Sequence, residues 1–271
     1  ALTRRVERVW SVVNHLLGVK NSEPLREAHD TVQNEMVAFQ LKIAQSKQLY
    51  NAWKNLQKNA SHELTTPARV RIVEAQIRDA KLSGISLEGK QRERFNEIQQ
   101  NLANLSTEFS NQLLDATKAF TLAMEKQSDV EGLPQNWLGM ASAAAKANGY
   151  PDATAEKGPW LLTLDFPSYY PFLQHAKNRT LREKVYRANV TRANGLGIYE
   201  KWNNWPCIDE ILTLRAEMAK LLGFKNYAEL SLASKMAHST KEVRSMIEHL
   251  AHVAKGVAKK ETESLSQFAH E

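Results

Sequence analysis

Residues 95–113 read FNEIQQNLANLSTEFSNQL, and within them Phe95, Ile98, Leu102, Leu105, Phe109 and Leu113 follow one another at intervals of 3, 4, 3, 4 and 4. That spacing puts every apolar side chain on one stripe of an α-helix. It does not continue for enough heptads to require a coiled-coil dimer. The stripe therefore predicts packing against neighbouring long helices of the same chain, with a dimerising seam as the alternative.

The same periodicity runs outward in both directions. Val6, Val9, Val13, Leu16 and Leu17 make a first stripe that ends near Gly18. Ser22 and Pro24 are a start signal, with the Ser22 hydroxyl expected to accept free amide hydrogens and Pro24 falling where a missing N–H costs nothing. From Leu25 through Met36, Ile43 and Trp53 to Leu56 the pattern predicts one helix of about thirty residues. Thr66-Pro67 opens another, closed near Gly84. After the central stretch, helices are predicted over 180–193, from about Pro206 to Gly223, after Asn226, and from Thr240 onward.

The central stretch differs. Phe120 to Met124 and Trp160 to Asp165 are short extended runs that predict two paired strands, with a helix from Trp137 to Ala147 between them. The fold class is thus mostly α, with one small two-stranded β element near 120–124 and 160–165. Three segments follow: 1–126 as a long-helix bundle, 127–178 as a mixed segment, and 179–271 as a second helical segment. An amphipathic pattern that starts at once after residue 1, and a helix still running at Glu271, create the expectation of further polypeptide at both ends.

Composition narrows the function classes. Hydrophobic residues at 42% and charged residues at 24% suit a globular chain of 271 residues. The net charge of +6 raises the question of nucleic acid. Basic and acidic residues are interleaved, however: Lys255, Lys259 and Lys260 are followed by Glu261 and Glu263. The run reads as a solvated helix face, so neither nucleic acid nor membrane is an expected partner. No stretch approaches the roughly 18 apolar residues of a membrane span. A single cysteine, Cys207, rules out an intrachain disulfide and fits a reducing compartment.

The chemistry-bearing residues do not converge. A zinc hydrolase needs two imidazoles on one helix face and a carboxylate to activate water, as in His-Glu-x-x-His. His62-Glu63 lacks the second histidine, His249 and His252 stand three apart with no third partner, and His270-Glu271 ends the sequence. His175 reads as a surface residue. Cys207 sits at a helix start, where a dipole can lower a thiol pKa, although a lone cysteine is usually an apolar filler. No Gly-x-Ser-x-Gly elbow or glycine-rich phosphate loop is present. The expectation is no catalytic residue and no metal ligand in this chain.

One run stands out: Leu161-Leu-Thr-Leu-Asp-Phe-Pro-Ser-Tyr-Tyr-Pro-Phe-Leu173. A strand that ends in Asp-x-Pro-Ser-Tyr makes a rigid corner. Either Ser168 caps a helix whose aromatics enter the core, or Ser168, Tyr169 and Tyr170 are peptide contacts.

That run, with Arg179-Thr-Leu-Arg-Glu183, Tyr186-Arg-Ala188, Ile211-Leu-Thr-Leu-Arg215, Ala219-Lys-Leu-Leu-Gly-Phe224 and Asn226-Tyr-Ala228, closely resembles the thimet oligopeptidase and oligopeptidase A family of zinc metallopeptidases. Val12-Val-Asn-His-Leu16, Leu114-Asp-Ala-Thr117 and Gly158-Pro-Trp160 resemble its oligopeptidase A branch, with plant-type organellar or cytosolic members. The resemblance implies one lobe of a helical clamshell around a deep channel with zinc on its floor. It implies short peptides as substrates, an intracellular site in the cytosol or an organelle matrix, and a monomer. It also implies that the zinc ligands and catalytic groups lie downstream, in a C-terminal catalytic part. The helix holding His270 then precedes the zinc helix rather than forming it. The alternative is a catalytically silent subunit of a larger assembly.

Overall fold

The computed structural model describes residues 2–59 and 66–270, so His62 and Glu63 lie outside the described residues. Contacts divide the chain into two compact units, one of 1–103 with 212–271 and one of 104–211.

In the first unit, α1 (Leu2–Val19) lies against α2 (Glu23–Ala44), and α3 (Lys47–Asn59) pairs with α4 (Pro67–Leu82). Trp10 of α1 stacks on the buried His29 of α2, ring centroids 4.8 Å apart. Ser22 stands at the N-cap of α2, but contrary to expectation its side chain makes no capping bond. Thr66 does cap α4, accepting from the Arg69 N–H at 3.4 Å.

The single helix expected from Leu25 to Leu56 is in fact two. It breaks at Gln45-Ser46, where Ser46 caps a new helix and the Gln45 side chain is held by residues far along the sequence. Gln45 Nε2 donates to the Ser83 carbonyl at 2.9 Å and to Asn96 Oδ1 at 2.7 Å, while Ser46 Oγ accepts from the Leu49 N–H at 3.3 Å and starts α3. A serine hydroxyl competes with the backbone ladder through such local bonds.

The long helix α5 (Gly89–Ala119) carries the seam. Phe95 and Ile98 are fully buried and Leu105 is buried, so this part of the stripe is core within the chain. Gly84, at φ +80°, closes the preceding turn against the Phe95 ring, where a Cβ would come within 3.1 Å. Arg94 of α5 makes a two-pronged bond to Glu217, 2.7 and 2.8 Å, in α9 (Trp205–Leu221). Two further helices, α10 (Tyr227–Leu232, capped by Asn226) and α11 (Thr240–His270), complete this unit.

The second unit surrounds a two-stranded antiparallel sheet, β1 (Thr121–Met124) with β2 (Trp160–Thr163), in the register Thr121↔Thr163 to Met124↔Trp160. The expected strand pair is therefore present. α6 (Gln135–Ala147) and α7 (Phe166–His175) pack on β2, and α8 (Arg179–Val190) packs on α7. Trp160, Leu162, Leu164, Phe172, Val185 and Tyr199 are among its most deeply buried large side chains. Gly132, at φ +91°, precedes α6 and lies so close to the His175 carbonyl that no side chain fits.

Phe172→Ala would empty the centre of the second unit. We expect a loss of about 3–5 kcal/mol in urea unfolding. Arg94 hydrogen-bonds Glu217 and holds its carboxyl below the ordinary value of 4.5. A lowered folded pKa contributes stability above the unfolded value and loses it as pH falls through the folded one. Glu217→Gln should thus be less stable than the parent at pH 7 and equal to it at strongly acid pH, as measured by unfolding across pH.

Candidate peptide-contact corner

The corner between β2 and α7 is built by saturating buried N–H groups. The chain leaves the sheet at Thr163, whose N–H donates to Ser168 Oγ at 3.0 Å. The Ser168 carbonyl accepts from the Trp137 indole N–H at 2.7 Å. Ser168 is only 6% exposed, and its hydroxyl serves the sheet. It is not the helix cap: α7 starts two residues earlier, with Asp165 at the N-cap and Pro167 in the first turn, where its fixed φ is already helical. The Asp165 carbonyl accepts from the Ser168 and Tyr169 N–H groups, at 2.8 and 3.0 Å. Its carboxylate accepts from Thr163 Oγ1 at 3.0 Å, which locks the turn from the outside.

The three side chains singled out in the sequence have separate fates. Ser168 is inside, Tyr169 packs half-buried against the core, and Tyr170 is 43% exposed. Tyr170 stacks on Phe166, which is 63% exposed, at 4.8 Å and 14°. Tyr169 meets both rings edge-on, at 5.9 and 6.5 Å. The surface presented at this corner is therefore an aromatic pair, Phe166 with Tyr170. Sequence reading missed Phe166. Its signal was the spacing of four from Tyr170, which places both rings on one helix face once the start of α7 is known.

Other candidates fall away. Among the described residues no group of three or more His, Cys, Asp and Glu side chains could hold a metal ion. His249 and His252 lie on the exposed surface of α11, as does His270, while Glu271 is outside the described residues. The described residues do not fit a zinc site, and no catalytic step is assigned to them. Cys207 is 3% exposed. Burial pushes its thiol up, and the neighbouring Glu108 carboxylate adds to the shift, in line with the apolar-filler reading rather than the helix-dipole one. His175 sits exposed in the last turn of α7.

Comparison with known proteins gives a consistent picture. Residues 1–92 match the family model of the neurolysin/thimet oligopeptidase N-terminal domain, and residues 172–271 match that of peptidase family M3. The chain is 47% identical over 265 residues to a probable cytosolic oligopeptidase A of Arabidopsis thaliana, covering 98% of this chain and 37% of that protein. It is 46% identical to the chloroplastic/mitochondrial organellar oligopeptidase A of the same plant, covering 98% of this chain and 33% of that protein. Oligopeptidase A of Escherichia coli is 38% identical over 263 residues, 97% of this chain and 38% of its own length. The chain thus spans about a third of the length of such relatives.

Ser168→Ala would leave the Thr163 amide without its acceptor inside the protein. An unsatisfied buried donor costs about 1–3 kcal/mol, so thermal unfolding should fall accordingly. Tyr170→Ala, on the surface, should leave it nearly unchanged.

Proposed function

We propose, for a chain that belongs to peptidase family M3 on its oligopeptidase A branch, that it forms the channel-wall lobe of an oligopeptidase acting on short peptides. The observation that carries this reading is similarity along 98% of the chain to a probable cytosolic oligopeptidase A. The division of labour in this reading is the one that the family resemblance implies. Long helices exclude folded proteins by size and admit extended peptides. Hydrolysis belongs to a C-terminal catalytic part in which a zinc ion, when bound, supplies an activated water.

In this reading the helical stretches 1–126 and 179–271 make the wall, and the mixed segment 127–178 presents the aromatic corner to the peptide. Phe166 and Tyr170 offer an apolar stack to a substrate side chain, and Tyr169 props that stack from below. Ser168 acts indirectly, by fixing the corner. Aromatic faces accept varied side chains with little directional demand, which suits an enzyme that takes many short sequences. A cytosolic or organelle-matrix location agrees with the compartments named for the two Arabidopsis relatives.

The chain alone, washed free of metal and dialysed against zinc, is expected to hold no stoichiometric zinc by elemental analysis. It is also expected to leave an internally quenched peptide uncut. One zinc per chain, or turnover by the chain alone, would sink the reading. In the complete enzyme, Tyr170→Ala should raise KM roughly threefold to tenfold with kcat little changed. That follows from an aromatic contact worth about 0.5–1.5 kcal/mol.

A further inference from the structure

No residue of α11 is buried, although the helix runs for 31 residues. Its apolar side chains are not scattered. Val243, Ile247, Leu250, Val257, Leu265 and Phe268 recur at helical spacing, and all but Val243 are exposed. They form one stripe about 38 Å long at 1.5 Å per residue. At its start the stripe deepens into an apolar groove of about 570 Å³ between α10 and α11, bordered by Ala228, Leu232, Val243 and Ile247, with Arg244 and Glu248 also lining it. An exposed apolar stripe of this extent, interrupted at Glu261, marks a contact face.

Three observations select the occupant. The family M3 model runs from 172 to 271 and so includes all of α11, which makes the helix part of the matched M3 region. The matched stretch is 37% of the cytosolic relative, so that protein has ample further polypeptide to supply a cover. The third is Glu261, which lies in line with the stripe, four residues beyond Val257 and four before Leu265, and has no ion-pair partner among the described residues. A carboxylate on a covered face needs a cation opposite it. A parallel second copy would set Glu261 against its own equivalent. An antiparallel one that packs Leu250 on Val257 would set it against Met246, and neither supplies that cation.

We propose that the apolar face of α11 is the docking surface for an amphipathic helical part of the remaining M3 polypeptide, one that presents a lysine or arginine opposite Glu261. The proposal rests on the functional reading above, in that it takes a catalytic part to exist. It adds the surface on which that part seats. The partner helix inserts aliphatic side chains between those of α11 and fills the α10–α11 groove with its end.

The test mixes this chain with the separately produced remainder of the Arabidopsis cytosolic relative, the stretch that follows the matched region, and measures association by calorimetry. A 1:1 complex is expected. Leu250→Asp and Val257→Asp should each weaken it tenfold or more, and Glu261→Lys about tenfold. Val12→Asp, on the exposed side of α1, should not weaken it. Because Leu250 and Val257 are exposed, these variants should fold like the parent by circular dichroism. No complex with the folded chain, variants that bind as well as the parent, or a self-association lost in Leu250→Asp would each overturn the proposal. Peptide cleavage by the same mixture separates the two readings. A variant-sensitive complex that cuts nothing refutes the function and leaves the docking face standing, whereas cleavage that ignores Leu250→Asp does the reverse.

Discussion

Ser168 receives the Thr163 amide on its hydroxyl and the Trp137 indole on its carbonyl. Through those two bonds the last residue of β2, the first turn of α6 and the first turn of α7 meet at one residue. The constraint behind it is general: a donor taken out of water must find an acceptor, or the structure loses what hydration gave it. A two-stranded sheet offers few acceptors of its own and is marginal in isolation. The corner supplies the missing ones from side chain and backbone. Around it the apolar side chains of α6, α7 and α8 close over Trp160 and Leu162.

The aromatic surface is a consequence of that corner. Once Pro167 and Asp165 set the start of α7, residues 166 and 170 fall on its outer face, while 168 and 172 turn inward. A residue two positions along a helix is rotated by more than a right angle, so neighbours in the sequence part company. Tyr169 is held between the two directions, with its ring on the core and its edge against the exposed pair.

The first unit is organised by a different economy, that of long helices whose polar side chains reach across. Gln45 bridges to Ser83 and Asn96, Arg92 donates to the Leu87 and Ile85 carbonyls at 2.8 and 3.2 Å, and Arg94 grips Glu217. Each bond ends or aligns a helix that apolar packing alone would leave free to slide. α11 stands apart, with apolar residues along its length and none of them buried.

Much of this was written in the chain. Period-3.6 stripes, Thr66-Pro67, Asn226 and the strand runs at 121–124 and 160–163 announced helices, caps and a sheet, because those signals act between residues a few positions apart. The breadth of resemblance around Leu161–Leu173 and Arg179–Tyr186 pointed to the family for the same reason: it is a pattern of types in order. What local pattern does not hold is which partner a side chain will meet from far along the sequence. The helix expected through Gln45 is two, and at the break its side-chain amide is held by Ser83 and Asn96. Ser168 turned inward because Thr163 needed an acceptor, and Phe166 became surface through the same rotation. Cys207 is buried beside Glu108, and both push its thiol pKa up rather than down. Helix, strand and family were decided by neighbours in sequence, whereas exposure, hydrogen-bond partner and thiol chemistry were decided by neighbours in space.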